Sequence, residues 1–364
     1  MNLIKPDLKF IREIICAGGD SLKKCFQCAT CSVTCKLSPD GKPFPRKEMI
    51  WAQWGLKDKL LADPDIWLCH QCSDCTVYCP RGAKPGEVMA AIRKSVITHY
   101  SFPKFLGKMV SQVKYVPLLI AFPVILLLAV LGISGHLNIP AGEIRFSEFM
   151  PTEYVDAIFI PVALFAAIAF GVGITRYWKD ISGPNAKIGL IPSLISTIVE
   201  ILTHNRFNKC EVNKPRSIAH LGVFYGFIGL AITTALAVFY LYILKQESPY
   251  PLLSPVKIIG NISALTLLMG IILVISNRLK NKEKTGLGSY FDWSLIVVIA
   301  VVVLTGILSQ LTRWANITIL AYPIYFLHLV SVFYLFIYAP YSKLAHLLYR
   351  TAAMVYAKQC QREV

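Results

Sequence analysis

Carboxylates are scarce in this sequence of 364 residues: 21 Asp and Glu face 37 Lys and Arg, and charged residues of both signs reach only 16%. With 55% of residues hydrophobic and so little charge, the composition is too apolar for a water-soluble protein of this length. The basic excess of +16 is not gathered on a soluble surface with aromatic stacking platforms, which excludes a nucleic-acid-binding reading. No Cys-x-x-Cys-His occurs, so covalent c-type haem attachment is excluded. Met1 to Arg12 holds no apolar core long enough for a signal peptide, and a disulfide framework is therefore not expected. Low-complexity tracts are also missing.

The sequence does have one repeat. Eight of the 11 cysteines stand in two copies of C-x2-C-x2-C-x3-C: Cys25, Cys28, Cys31 and Cys35, then Cys69, Cys72, Cys75 and Cys79. Pro80 closes the second copy as in bacterial ferredoxins, whereas Lys36 stands at that place in the first. Three thiolates on a tight loop hold one cubane, and in two-cluster ferredoxins the fourth cysteine ligates the other cluster. The expected ligands are Cys25, Cys28, Cys31 and Cys79 for one [4Fe–4S] cluster, and Cys69, Cys72, Cys75 and Cys35 for the second. Structural zinc usually takes paired C-x2-C units with a longer loop between them, and four close cysteines over-supply one tetrahedral ion. Cys16, Cys210 and Cys360 have no partner at ligand spacing and read as inert thiols.

The apolar excess lies after about residue 110. Six segments reach the roughly 20 residues needed to cross a bilayer: Tyr115–Ser134, Tyr154–Trp178, Ile218–Leu244, Val256–Ser276, Trp293–Leu311 and Leu320–Tyr338. The sixth is expected to continue past Pro340 as a kinked helix toward Arg350. Lys179, Lys187, Arg206, Lys209, Lys214 and Arg216 fill one loop, and Arg278, Lys280, Lys282 and Lys284 the next on that side. Opposite loops carry only Arg145, Lys245 and Arg313. The positive-inside rule then places both termini and the cysteine domain in the cytoplasm of a multi-pass protein of the cytoplasmic (inner) membrane.

The expected fold class is all-α: an α-helical ferredoxin domain over 1–105, then a six-helix transmembrane bundle over 106–364. Lys47–Leu61 and Gly86–Thr98 read as helices of the first part, with Phe102-Pro103 at the join. So small a domain buries little core, and the clusters are expected to hold it together.

Histidines point to what the membrane part binds, because an ionisable residue in a span is a functional hypothesis by default. His220 lies near the cytoplasmic start of the third span and His346 near the cytoplasmic end of the sixth, at matching depth for a bis-histidine haem b. His328, eighteen residues before His346, is five helical turns away on one face, roughly 27 Å, the spacing of two haems stacked across a bilayer. His328 is thus the candidate ligand of a second haem b. Its partner is not evident, since Leu230 stands ten residues after His220. A single histidine at a helix end would read as an interfacial side chain; the pairing in depth favours ligation. His136 on the outer side could reach a distal haem but reads more readily as a plain loop histidine, while His70, His99 and His204 read as solvated or structural.

Lys24-Cys25-Phe-Gln-Cys28-Ala-Thr-Cys31, Ile66-Trp67-Leu-Cys69-His-Gln-Cys72 and Cys79-Pro80-Arg81-Gly82 resemble the C subunit of heterodisulfide reductase. Arg216-Ser-Ile-Ala-His220, Tyr325-Phe-Leu-His328-Leu-Val and Leu344-Ala-His346 resemble the haem b-binding gamma subunit of respiratory nitrate reductase and the membrane subunit (E) of heterodisulfide reductase. The fusion is similar to the C-subunit family of quinone-interacting membrane-bound oxidoreductase (Qmo) complexes of sulfate-reducing prokaryotes. That resemblance implies electron transfer between the quinone or menaquinol pool, haem b and two [4Fe–4S] clusters. Its implied partners are flavoproteins related to heterodisulfide reductase A, with adenylylsulfate reductase beyond them. Leu230 departs from the nitrate reductase pattern, and no Cys-Cys pair is present, so the chain lacks the disulfide-cleaving site. Two alternatives remain: a heterodisulfide reductase-like or sulfite-pathway menaquinol oxidoreductase subunit, and a non-enzymatic membrane anchor. Arg216 and Arg313 are candidate neighbours of a quinone pocket.

Overall fold

Hydrophobic spacing in the first hundred residues favours short helices rather than long ones. In a computed structural model, which describes residues 5–140, 142–184, 186–204, 215–282, 286 and 288–362, these are α1 (Leu8–Cys16), α2 (Thr30–Thr34), α3 (Arg46–Gln53), α4 (Lys57–Leu61), α5 (Asp65–Leu68), α6 (Asp74–Val77) and α7 (Pro85–Tyr100). The helix expected over Lys47–Leu61 is broken at Gly55. This residue has φ +63°, and a Cβ there would lie 2.8 Å from the Asp7 backbone, so the chain turns where only glycine fits. The helix expected over Gly86–Thr98 is present, one residue longer at its start and two at its end. Cys210, Arg206, Lys209, Lys214 and Lys284 lie outside the described residues.

After the connector helix α8 (Lys104–Val110) come α9 (Val116–Ile133), the short α10 (Phe146–Phe149), α11 (Thr152–Ile181), α12 (Leu190–Thr203), α13 (Pro215–Tyr242), α14 (Pro255–Lys280), α15 (Tyr290–Trp314), α16 (Thr318–Tyr338) and α17 (His346–Gln359). Among the described residues, six helices are long and apolar enough to cross a membrane: α9, α11, α13, α14, α15 and α16, all within a few residues of the expected spans. No strand occurs among the described residues, and the all-α expectation holds.

Glycine sets the closest helix pairing. Gly222, Gly226 and Gly229 recur along one face of α13, and a Cβ on them would meet Gly270, Leu267 and Ser263 of α14 at 3.0 Å or less.

The end of the sixth span differs from expectation. The helix stops at Tyr338, because Pro340 supplies no N–H, and two 3₁₀ turns follow before α17 begins at His346. Ser342, in extended conformation, accepts a bond from Leu344 N at 3.1 Å and restarts the chain in a new direction. His328 and His346 therefore do not share one continuous helical face, and five turns of straight helix do not measure their separation.

The redirected α17 packs against the cysteine domain. Met354 and Ala357 are buried with Leu37, Phe44 and Leu68. Arg362 pairs with Asp65 at 2.6 Å, Lys358 with Glu200 at 2.7 Å, and Tyr349 stacks on Trp67. The domain's main core, built on Phe10, Ile14, Met49, Trp67 and Ile92, continues into Tyr177, Ile181 and Tyr349 of the membrane part. Far from relying on clusters alone, the first hundred residues share a core with the bundle.

Candidate metal centres

Both cysteine loops have the same backbone. Gln27 and Ala29 in the first, and Gln71 and Ser73 in the second, take positive φ at equivalent places, two residues after the first cysteine and one after the second. A non-glycine residue in this region costs about 1–2 kcal/mol, so four in register mark loops shaped for a purpose. Each loop runs into a short helix, α2 or α6, carrying the third cysteine.

The electrostatic neighbours of the thiols cross between loops. Cys25 faces Cys79 and Cys28, and Cys31 faces Cys25 and Cys28. Cys35 faces Cys69 and Cys72, and Cys75 faces Cys69, Cys72 and Cys35 and, more weakly, Cys31. Among the described residues no three sulfurs lie within 4.8 Å of one another, and no disulfide joins them. Burial pushes the Cys31 thiol up to about 11 and the Cys35 thiol up to about 12, whereas bonds from Thr30 hold exposed Cys28 below its ordinary value. Binding iron would therefore expel protons from the buried sulfurs.

The two loops face differently. Around the first, Phe26, Val33 and Tyr78 are exposed. The second faces the membrane bundle, where Arg216 Nη1 of α13 donates to the His70 carbonyl at 3.0 Å and also to that of Gln71, while from within the cysteine domain Arg93 of α7 donates through Nε to the Ile66 carbonyl at 2.8 Å and through Nη2 to that of Cys69. Gln71 N–H donates to Cys69 Sγ at 3.3 Å.

Beneath this loop lies a cavity of about 230 Å³, lined by His70, Arg93 and Arg216, and also by His220 and His346. His346 Nδ1 donates to the Lys343 carbonyl at 2.6 Å, and burial lowers its pKa to about 4, so the neutral ring keeps a lone pair on Nε2. His220 Nδ1 lies 3.1 Å from His204 Nε2. The buried His204 is held in turn near the Leu202 carbonyl at 3.5 Å, and burial lowers its pKa below the ordinary imidazole value. A metal-binding imidazole is ordinarily fixed through its second nitrogen in this way. His328 has the same arrangement: Nδ1 lies 3.1 Å from the Val302 carbonyl and 3.0 Å from Thr305 Oγ1, with Gly306 leaving room beside the ring.

The donor sets thus fit two clusters and a haem between His220 and His346. For His328 the structure brings up no second histidine among the described residues. Leu230 is packed among apolar side chains around Leu267 and Val303, and His136 lies against Ser134 and Tyr154.

Residues 113–363 match the family description "Citrate utilization protein B", and residues 21–83 match a 4Fe–4S dicluster domain. The chain belongs to the citrate utilization protein B family. It is 28% identical over 309 residues to citrate utilization protein B of Escherichia coli, covering 79% of this chain and 80% of that one. The first part is similar to the C subunit of the H(2):CoB-CoM heterodisulfide,ferredoxin reductase of Methanothermobacter marburgensis, 41% identical over 98 residues. That match covers 25% of this chain and 51% of the relative. A heterodisulfide reductase C-like protein of Archaeoglobus profundus is 40% identical over 101 residues, 28% of this chain and 52% of the relative. The chain therefore spans about half the length of these two relatives. No solved structure matches. This member of the citrate utilization protein B family thus joins a heterodisulfide reductase C-like iron–sulfur domain to a multi-pass membrane part.

Three features are not evident from sequence. His204 reads there as solvated or structural, yet it bonds to His220. Arg216, a helix-end arginine with the look of an interfacial anchor or quinone neighbour, also holds the second cysteine loop. Arg350, which the spacing of the motifs does not single out, bonds to His70 Nε2. The four-residue step from Arg216 to His220 and from His346 to Arg350 is the available signal.

Proposed function

We propose that this chain is the membrane electron-transfer subunit of a quinone-linked oxidoreductase, exchanging electrons between menaquinol or another membrane quinone and a cytoplasmic flavoprotein. The proposed ligands are Cys25, Cys28, Cys31 and Cys79 for one [4Fe–4S] cluster, Cys69, Cys72, Cys75 and Cys35 for the other, and His220 with His346 for haem b. His328 is proposed for a second haem b. When bound, these groups supply one-electron carriers; the chain supplies ligands, spacing and a dry surrounding. The observation that carries the reading is the burial of the second cysteine loop directly over the cavity lined by His220 and His346. The exposed first loop is then the side that meets the flavoprotein, a partner of the heterodisulfide reductase A kind. Adenylylsulfate reductase as the onward acceptor rests on the Qmo resemblance alone. The heterodisulfide reductase names of the relatives favour a second reading, a heterodisulfide reductase-type complex whose disulfide site is on another subunit. In either case the cytoplasmic membrane is the proposed location, with both termini inside.

Pyridine haemochrome and EPR spectra of the purified chain test this. A Soret band lost in both His220→Ala and His346→Ala is expected, together with two cluster signals. Cys35→Ser should damage the cluster held mainly by Cys69, Cys72 and Cys75. No haem in the native chain would leave a membrane anchor; damage confined to the first-loop cluster would refute crossed ligation.

A further inference from the structure

Each proposed axial histidine has an arginine one helical turn away on the side of the cysteine domain. On α13 the order is Arg216 then His220; on α17 it is His346 then Arg350, and a four-residue step keeps each pair on one face. Both arginines line the same cavity as the histidines. Both also reach the second cysteine loop, Arg216 through the carbonyls of His70 and Gln71 and Arg350 through His70 Nε2. The loop atoms that accept from them, two backbone carbonyls and an imidazole nitrogen, are uncharged. Of the carboxylates lining the cavity, Asp292 is paired with Lys343 and Glu87 with Lys84 at 3.7 Å. Deeper in, Val223, Ile271 and Leu295 make the wall apolar.

A basic rim over an apolar slot suits a flat, greasy ligand with carboxylates along one edge. We infer that Arg216 and Arg350 form a carboxylate clamp at the mouth of this cavity, and that its ligand is the pair of propionates on the haem b proposed above. Guanidinium matches carboxylate with two parallel donors, and in a buried site that charge-assisted pairing is strong. Because the same side chains hold residues 70 and 71, the clamp ties the haem's polar edge to the loop that carries the second cluster. The inference rests on the haem reading.

The full chain, made in haem-deficient cells and purified in detergent, is titrated with haem b and with haem b dimethyl ester, whose propionates carry no charge. The native chain should bind haem b at least about tenfold more tightly than the ester. Arg216→Gln and Arg350→Gln should each erase most of that difference. Each should also lower the haem midpoint potential, since reduction then adds an electron where a positive charge has been lost, and Arg216→Lys should restore the potential. If Arg216→Gln weakens both porphyrins by the same factor, the arginine acts on the fold and the clamp is refuted. A native chain that binds both equally refutes the clamp but keeps the haem; one that binds neither removes the haem reading and the clamp with it.

Discussion

Single residues set the state of the imidazoles before any metal arrives. His346 donates Nδ1–H to a backbone carbonyl, while His220 turns Nδ1 toward a second imidazole, His204, whose pKa burial lowers. With the His204 Nδ1–H on the Leu202 carbonyl side, Nε2 accepts from His220, and the lone pair of both His220 and His346 then sits on Nε2. His204→Ala should therefore weaken haem retention by about tenfold to a hundredfold while leaving cluster signals intact. Haemochrome yield after repeated detergent exchange measures this, and unchanged yield would remove His204 from the site.

A second residue-scale consequence concerns pH. Glu48, Asp63 and Asp65 are buried around Lys47, which lies 2.7 Å from Asp65 and 3.2 Å from each of the other two. Burial, then the Asp63 carboxylate, pushes the Glu48 carboxyl well above its ordinary value of 4.5. The folded chain thus holds this proton more tightly than the unfolded chain. Its contribution to stability is full below the unfolded value and is lost as pH climbs through the raised folded value. Glu48→Gln removes that dependence, so its thermal midpoint should gain on the native chain's as pH rises from about 5 to about 8. A pH-independent difference would show that Glu48 is charged in the fold.

Among elements, the pairing of α13 with α14 admits no added carbon at Gly226, where a Cβ would sit 2.7 Å from Leu267 Cβ and 2.8 Å from its Cα. Gly226→Ala should cost about 1–3 kcal/mol. Gly171→Ala on α11, with nothing within 4 Å, should be neutral or slightly stabilising. Thermal unfolding of the two variants in the same detergent compares them, and equal losses would contradict the close approach. The spans themselves were legible because hydropathy is a local signal, and the cysteine loops because ligand spacing is. The break at Gly55 and the redirection after Tyr338 were not, since each depends on what the chain meets in space: the Asp7 backbone in one case, the underside of the cysteine domain in the other.

The whole molecule is one unit in which the bundle completes the cysteine domain's core. Tyr100 donates to Asp180 at 2.7 Å and Arg176 to the Ser101 carbonyl at 3.2 Å across that join. If the basic loops face the cytoplasm, alkaline phosphatase fused after Glu143 should be active and a fusion after Lys282 inactive; the reverse would move the cysteine domain, and its partner, to the other side of the membrane.

The position of α17 also bears on how the molecule is made. Residues 346–359 leave the ribosome after every span, yet they supply Tyr349, Met354 and Ala357 to the seat of loops translated long before. A nascent chain paused before α17 would carry its cysteine loops on a domain without that seat, open to the machinery that delivers iron and sulfide. Once α17 is in place the second loop is seated over the cavity, so cluster insertion is expected to precede that burial.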